Sequence, residues 1–393
     1  DSAFEDWWVY ITDKANAGVQ RQVSAYTSST GTLTVRGAVL LTDGANLATV
    51  RLHRYNRDKY VQAFNDTNRE LYGMGIFWKD LDVWELVSGN LLPNSHFRDW
   101  AAAANPDKWS LSNATAAATT TAGLVRGGAK SAKVTASAAN GYMLLNSDDF
   151  PRLLDLMNKS VSAYVWAYPE TANDATIVLY TKKADGTAQT LTSTTTCPAG
   201  EWTLLKLESQ SINDDIVDFQ FRLKVATNAK YVYFDHARLI GINVYEYLLP
   251  TDFVTGKVSN IEIQSSGSAD FACDDLLPKT WTPVHDYEIR SDGTDRWLVL
   301  GEKWGDSKLI RITGKAPLTT LSAYTDTIEI GGEMLNLYIA YAKYKLFQAI
   351  ESPVAVQDIG RYETQSAKAY GEFIRLSSLR MTRSPVRMRI KSY

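Results

Sequence analysis

Residues 7–52 alternate apolar and polar side chains at the two-residue period of half-buried strands. Trp7, Val9 and Ile11 share one face, while Trp8, Tyr10 and Thr12 share the other. Asn16–Gly18 and Ser28–Gly31 supply turn chemistry, so this run reads as a small antiparallel β unit. From Asn56, an N-cap residue, the period lengthens. Tyr60, Phe64, Thr67 and Leu71 recur at steps of four and three, predicting one helix that Gly73 and Gly75 end. An aromatic stretch, IFWKDLDVWEL, follows.

The pattern changes at Asn90. NLLPNSHFRDW leads into a small-residue, Thr-rich stretch from Ala101 to Gly128. Short β-like runs then follow between turn signals: SAKVTAS, SVSAYVWAY, ATIVLYTKK, EWTLLKL, VDFQFRLKV and KYVYFDHARLI. Strands at this spacing, without a helical period, predict a β-sandwich or jelly roll. After Gly241, the runs VYEYLLP, VSNIEIQ, DYEIR, RWLVLG and KLIRITGKAPL read as a second antiparallel meander.

Two helices close the pattern. Leu335, Ile339, Ala342, Leu346 and Ala349 form one seam; after the N-cap pair Ser352-Pro353, Ile359, Tyr362, Ser366, Ala369, Phe373 and Leu376 form another. They predict an antiparallel helical hairpin, packed either within the chain alone or onto neighbours as well. The last residues, RSPVRMRIKSY, alternate basic and apolar. Arg383, Arg387, Arg389 and Lys391 either bind a partner, as an added strand or along an acidic groove, or belong to a solvated terminus.

Composition narrows the function classes. With 393 residues, 45% of them hydrophobic, the chain can bury two or three cores. A formal net charge of -3 gives no electrostatic case for nucleic acid or an anionic membrane, and no apolar run is long enough to span a bilayer. Cys197 and Cys273 read as unrelated thiols, and His53, His96, His236 and His285 are scattered singly. No metal-ligand, nucleophile or phosphate-loop motif occurs, so the expectation is no metal, no cofactor and no enzyme. Asp214-Asp215 and Asp274-Asp275 are paired carboxylates, but adjacent residues in turns do not face one another across a glycosidic bond. The strand-like start at Asp1 predicts a further segment ahead of it.

Two resemblances organise these elements. DWWVYITDKANAGVQRQVSAYTSSTGTLTV, YVQAFNDTNRELYGMGIFW, VYEYLLP, RWLVLG, LIRITGKAPLTTLSAYTDTIEI and MLNLYIAYAKYKLFQ resemble, in that order, the head-to-tail adaptor proteins of tailed phages. NLLPNSHFRDW, GEWTLLKL and VYFDHARLIG resemble the opening, Trp-bearing and closing strands of jelly-roll carbohydrate-binding modules. The expected fold is therefore α+β and multidomain: an adaptor body of antiparallel β and a helical hairpin, in two halves (1–89 and 242–393), interrupted by an all-β jelly-roll sandwich at 90–241.

The adaptor resemblance implies a structural virion protein in the neck between capsid and tail, made in the host cytoplasm. Its partners would be further copies in a dodecameric ring, the portal protein and tail or nozzle proteins, with the sandwich projecting outward. The alternative is a virion-surface or secreted glycan-binding protein. Modules of the second family often place a carboxylate after the first-strand Phe, where it shares calcium with the Asp of the last strand. This chain has Arg98 there, so an Arg98–Asp235 ion pair without calcium is expected. Tyr164, Trp166 and Tyr168 share one strand face and are either a glycan platform or core, while Trp109 and Trp202 read as core.

Overall fold

The computed structural model describes residues 3–42, 48–100, 104–193, 196–265, 280–323, 326–350 and 356–381. The chain divides into two compact units, Asp1–Lys79 with Pro317–Tyr393, and Asp80–Ala316. The residues Arg383, Arg387, Arg389, Lys391, Ser352, Pro353, Cys273, Asp274 and Asp275 lie outside the described residues.

In the first unit, β1 (Trp8–Ile11), β2 (Gln20–Thr27), β3 (Thr32–Val35) and β4 (Val50–His53) form an antiparallel sheet in the order β3-β2-β1-β4. The expected alternation is present: Val9 and Ile11 are buried with Val23, and Trp7 packs against them. Helix α1 (Arg57–Gly73) begins where expected, with the Asn56 side chain accepting from the Asp58 N–H at 2.8 Å. Two further helices are α2 (Gly332–Ile350) and α3 (Val356–Met381).

The buried face of α2 keeps Ala342 and Leu346 of the expected seam but departs from it at the start of the helix. Leu335 is 39% exposed, whereas Leu337, Tyr338 and Tyr341 are 4%, 0% and 2% exposed. The hydroxyls of the two tyrosines account for this departure. Tyr338 Oη donates to Asn68 and Tyr341 Oη to Glu70, so both rings are buried without stranding a polar tip. Tyr338 also stacks on Phe64, and Tyr341 meets Phe373 of α3 with centroids 4.7 Å apart. On α3 the expected seam is kept at Ser366, Ala369 and Phe373, all buried.

The second unit begins with β5 (Lys79–Val87). The sandwich follows: β6 (Ser110–Ser112), β7 (Ala114–Thr119), β8 (Ser131–Ala136), β9 (Gly141–Asn146) and β10 (Ser160–Pro169). It continues with β11 (Ala175–Lys183), β12 (Ala188–Thr192), β13 (Thr203–Ser211), β14 (Ile216–Val225) and β15 (Tyr231–Ile240). One sheet has the order β13-β10-β15-β8-β7 and the other β12-β11-β14-β9-β6, with every recorded pair antiparallel. The unit ends with β16 (Glu246–Leu248), β17 (Lys257–Gln264), β18 (Trp281–Pro283), β19 (Tyr287–Ser291), β20 (Arg296–Leu300) and β21 (Leu309–Ala316). These make sheets ordered β16-β20-β19 and β18-β17-β21-β5.

Period-two alternation builds the sandwich core. Val161, Ala163, Val165 and Ala167 of β10 are at most 1% exposed, as are Phe219, Phe221, Leu223 and Val225 of β14. Trp109 closes the core against Phe97 and Phe221, with centroids 5.2 and 6.0 Å apart. In β15 a bulge interrupts the ladder: Trp166 pairs with Asp235 but Tyr164 with Arg238, and His236 between them has φ 50°.

NLLPNSHFRDW is not a strand. Asn90–Phe97 is irregular yet wholly buried, with Asn94 and Phe97 in left-handed conformations around Pro93. It is held along β15 by hydrogen bonds. Leu91 N donates to Leu239 O at 3.0 Å, Ala237 N to Ser95 O at 2.9 Å, and the Asn90 amide bonds both Ala237 O and Leu239 N. His96 ends this arm with its ring 4.1 Å from that of His236, edge to face. Burial, with the Arg238 and Arg98 charges, pushes the His96 imidazole down to about 3.

Two consequences are measurable. Phe221→Ala removes a fully buried ring at the centre of the sandwich and should cost about 3–5 kcal/mol in urea unfolding. His96 is held neutral when folded and regains its ordinary pKa on unfolding, so its contribution is whole above pH ~6.5 and is lost as pH falls toward about 3. His96→Gln should therefore lower the proton uptake on unfolding between those pH values by about one proton. An unchanged slope of unfolding free energy against pH would contradict this account of His96.

Candidate functional site

The best-furnished surface of the sandwich is the outward face of sheet β13-β10-β15-β8-β7. Because Val161, Ala163, Val165 and Ala167 point into the core, the alternate residues of β10 point out. Register then assembles a strip across the strands. Tyr168 pairs with Tyr233 of β15, which pairs with Lys133 of β8, and Trp202 precedes the residue that pairs with Ala167. The rings follow one another at 5.6 Å (Trp202–Tyr168), 6.0 Å (Tyr168–Tyr233) and 5.4 Å (Tyr233–Tyr231). Trp202 Nε1 donates to Gly123 O at 2.9 Å, which fixes the indole.

Charged groups border this strip. Lys133 Nζ lies 4.0 Å from the Tyr231 ring centroid, and Lys230 donates to Glu170 at 3.0 Å. The half-buried rings of Trp202, Tyr168 and Tyr231, packed around the more deeply buried Tyr233, stand beside both hydrogen-bond donors and acceptors.

The sequence singled out Tyr164, Trp166 and Tyr168. All three are half-buried and face outward, but they do not form one open platform. The Arg126 guanidinium lies 4.2 Å over Trp166, and that of Arg238 lies 4.9 Å from the Tyr164 ring. Tyr168 alone joins the strip. Trp109 is core at 3% exposure, as expected, whereas Trp202 lies in the strip rather than the core. Trp202 was legible as outward only with the register of β13, since it stands just ahead of that strand.

The expected Arg98–Asp235 ion pair is not formed. Arg98 donates instead to Glu85 at 2.8 Å and Asp252 at 2.7 Å. Asp235 is fully buried and accepts from the backbone N–H groups of Arg126 (2.9 Å), Gly127 (3.2 Å) and His236 (2.8 Å). Backbone donors thus meet its oxygens while Arg98 is drawn to a nearer pair of acids. Burial pushes the Asp235 carboxyl well above the usual carboxylate range, with the three N–H donors pulling it back. Burial likewise raises Glu85 against the pull of Arg98. Gly128, at φ 74°, lets the loop pass Glu85 where a Cβ would meet the carboxylate at 2.5 Å.

The other candidates do not converge. Asp214 is paired with Lys183 at the surface, and Asp215 sits in a turn at φ 56°. Cys197 is buried and unbridged. Among the described residues no cluster of His, Cys, Asp and Glu could hold a metal, and no helix is long and apolar enough to cross a membrane.

No protein-family model matches the chain, and no curated protein does. Among solved structures, the chain is similar to the C-terminal family 22 carbohydrate-binding module of Clostridium thermocellum Xyn10B, at 16% identity and TM-score 0.31, over 39% of this chain and 95% of that one. It is similar to the CBM22-1 xylan-binding domain of Paenibacillus barcinonensis Xyn10C at 14% identity and TM-score 0.32, over 40% of this chain and 97% of that one. It is also similar to the enzymatically active domain of bacteriophage CBA120 tailspike protein 4, at 10% identity and TM-score 0.30, over 39% of this chain and 22% of that one.

Proposed function

We propose that this chain is a glycan-binding protein whose sandwich takes sugar on the outward face of β10 and β15. One observation carries this reading: the strip Trp202–Tyr168–Tyr233–Tyr231 runs across the strands with Lys133 at its edge. A pyranose presents an apolar face to such rings and hydroxyls to the polar groups beside them. Tyr164 and Trp166 support the strip from beside it, since guanidinium groups cover their faces.

A second reading concerns the whole chain: a virion neck protein that forms a ring between portal and tail, of the head-to-tail adaptor kind. The observation favouring it is a second apolar stripe on α3. Tyr370 and Ile374 are 42% and 49% exposed there, one turn apart, with the Tyr370 ring also meeting those of Tyr344 and Phe373. In this reading the stripe packs on a neighbouring copy and the sandwich is the decoration that binds glycans.

Two experiments test these readings. On an array of plant, bacterial and host glycans, the purified chain should bind a defined subset. For at least one of these glycans Tyr168→Ala or Trp202→Ala should weaken binding roughly tenfold or more, and Trp166→Ala should weaken it less. Silence across the array, or equal binding by Tyr168→Ala, would sink the first reading. For the second, mass photometry of the chain should find a ring-sized species that Ile374→Glu dissolves; a monomer at every concentration would count against it.

A further inference from the structure

The sheet β18-β17-β21-β5 turns a separate aromatic surface outward. Leu81 and Val83 of β5, Ile261 and Ile263 of β17, and Ile310 and Ile312 of β21 are buried. The residues between them, Asp82, Trp84, Glu262 and Arg311, therefore share the opposite face. Register places Glu262 opposite Arg311, and Gln264 opposite Trp281.

The polar groups on this face are fixed. Arg311 donates twice to Asp82, at 2.8 and 2.6 Å, and its Nη1 lies 3.5 Å from Glu262. Its guanidinium carbon is 5.8 Å from the Trp281 ring centroid. Trp84 and Trp281 both pack on the buried pair Val87 and Leu309. Asp82, Trp84, Trp281 and Arg311 line a cleft of about 170 Å³.

We infer that this cleft is a second carbohydrate-binding site, taking one or two pyranose units. The argument is one of elimination by charge. Asp82 and Arg311, the charged groups that line the cleft, neutralise one another as a bidentate pair, so neither a cationic nor an anionic ligand finds an unopposed charge there. A wholly apolar ligand would strip water from these two ionised groups without replacing its hydrogen bonds. A neutral ring bearing hydroxyls on its rim and an apolar face satisfies both halves of the cleft. Each Asp82 oxygen keeps a lone pair after accepting from Arg311, so adjacent hydroxyls can donate to its two oxygens. The indoles then cover the C–H face. The site uses no residue of the strip on the sandwich, and its existence does not depend on that strip.

Isothermal titration of the full chain with tetrasaccharides of glucose, xylose, galactose, mannose and N-acetylglucosamine tests it. At least one should bind saturably at millimolar concentration. In a Tyr168→Ala background, which removes the strip, at least one should still bind, and adding Trp281→Ala or Asp82→Asn, with melting temperatures unchanged, should weaken that remaining binding roughly tenfold. Should Trp281→Ala fail to fold, Asp82→Asn decides, because it keeps the shape of the side chain. No saturable binding by the wild type overturns the proposal. So does binding that survives Asp82→Asn in the Tyr168→Ala background, or binding that Tyr168→Ala alone abolishes. Loss in Asp82→Asn with none in Tyr168→Ala would leave this site standing and remove the strip.

Discussion

One side-chain amide joins the start of the sandwich to its end. Asn90 is 5% exposed; its amide nitrogen donates to Ala237 O and its oxygen accepts from the N–H groups of Leu239 and Leu92. A buried amide with this many partners leaves little freedom, since each bond lost would strand a polar group out of water. The arm Asn90–Phe97 is thereby laid along β15. Through β15 it constrains β10 and β8, its neighbours on either side. The placement of Tyr168, Tyr233 and Lys133 follows from that constraint.

Size complementarity explains why aromatic rings are left on the outside. The core side of β10 carries only Val161, Ala163, Val165 and Ala167, whereas β14 brings Phe219 and Phe221 to the same core. A thin layer facing a thick one fills the space between sheets at normal packing density. Had the aromatic residues of β10 pointed inward against those phenylalanines, the sheets could not have closed to their usual separation. The outward rings are thus a product of the packing before they are a surface for anything else.

Much of this fold was legible in the sequence where periodicity was strong. The strands around Val134, Val165 and Phe221 alternate cleanly, and the N-cap at Asn56 and the seam through Ala369 and Phe373 stand where the pattern puts them. Strand β7, ATAAAT, was not legible, because small residues at the edge of a sheet bury little on either face. The arm at Asn90–Phe97 was misread as a strand because its apolar residues are buried by tertiary contacts along β15 rather than by alternation. The partners of Arg98 were beyond reach. Glu85 and Asp252 come from elements on either side of it, and only the folded chain brings three charges together. The cleft at Trp84 and Trp281 is hidden for the same reason, its two indoles being far apart in the chain.

The bulge at His236 changes which side chains of β15 face the core. Before it, Val232 and Phe234 face the core; after it, Ala237 and Leu239 do, so the inward positions change from even to odd numbers across one residue. In evolutionary terms His236 is a spacer. Losing it would restore an unbroken two-residue alternation in which every other side chain of the strand keeps its side of the sheet. Loss of either neighbour would leave a strand of the same length in which His236 takes over a place on one face or the other. Insertions and deletions among relatives of this chain should therefore gather at this residue, and the strand on either side of it should keep its length.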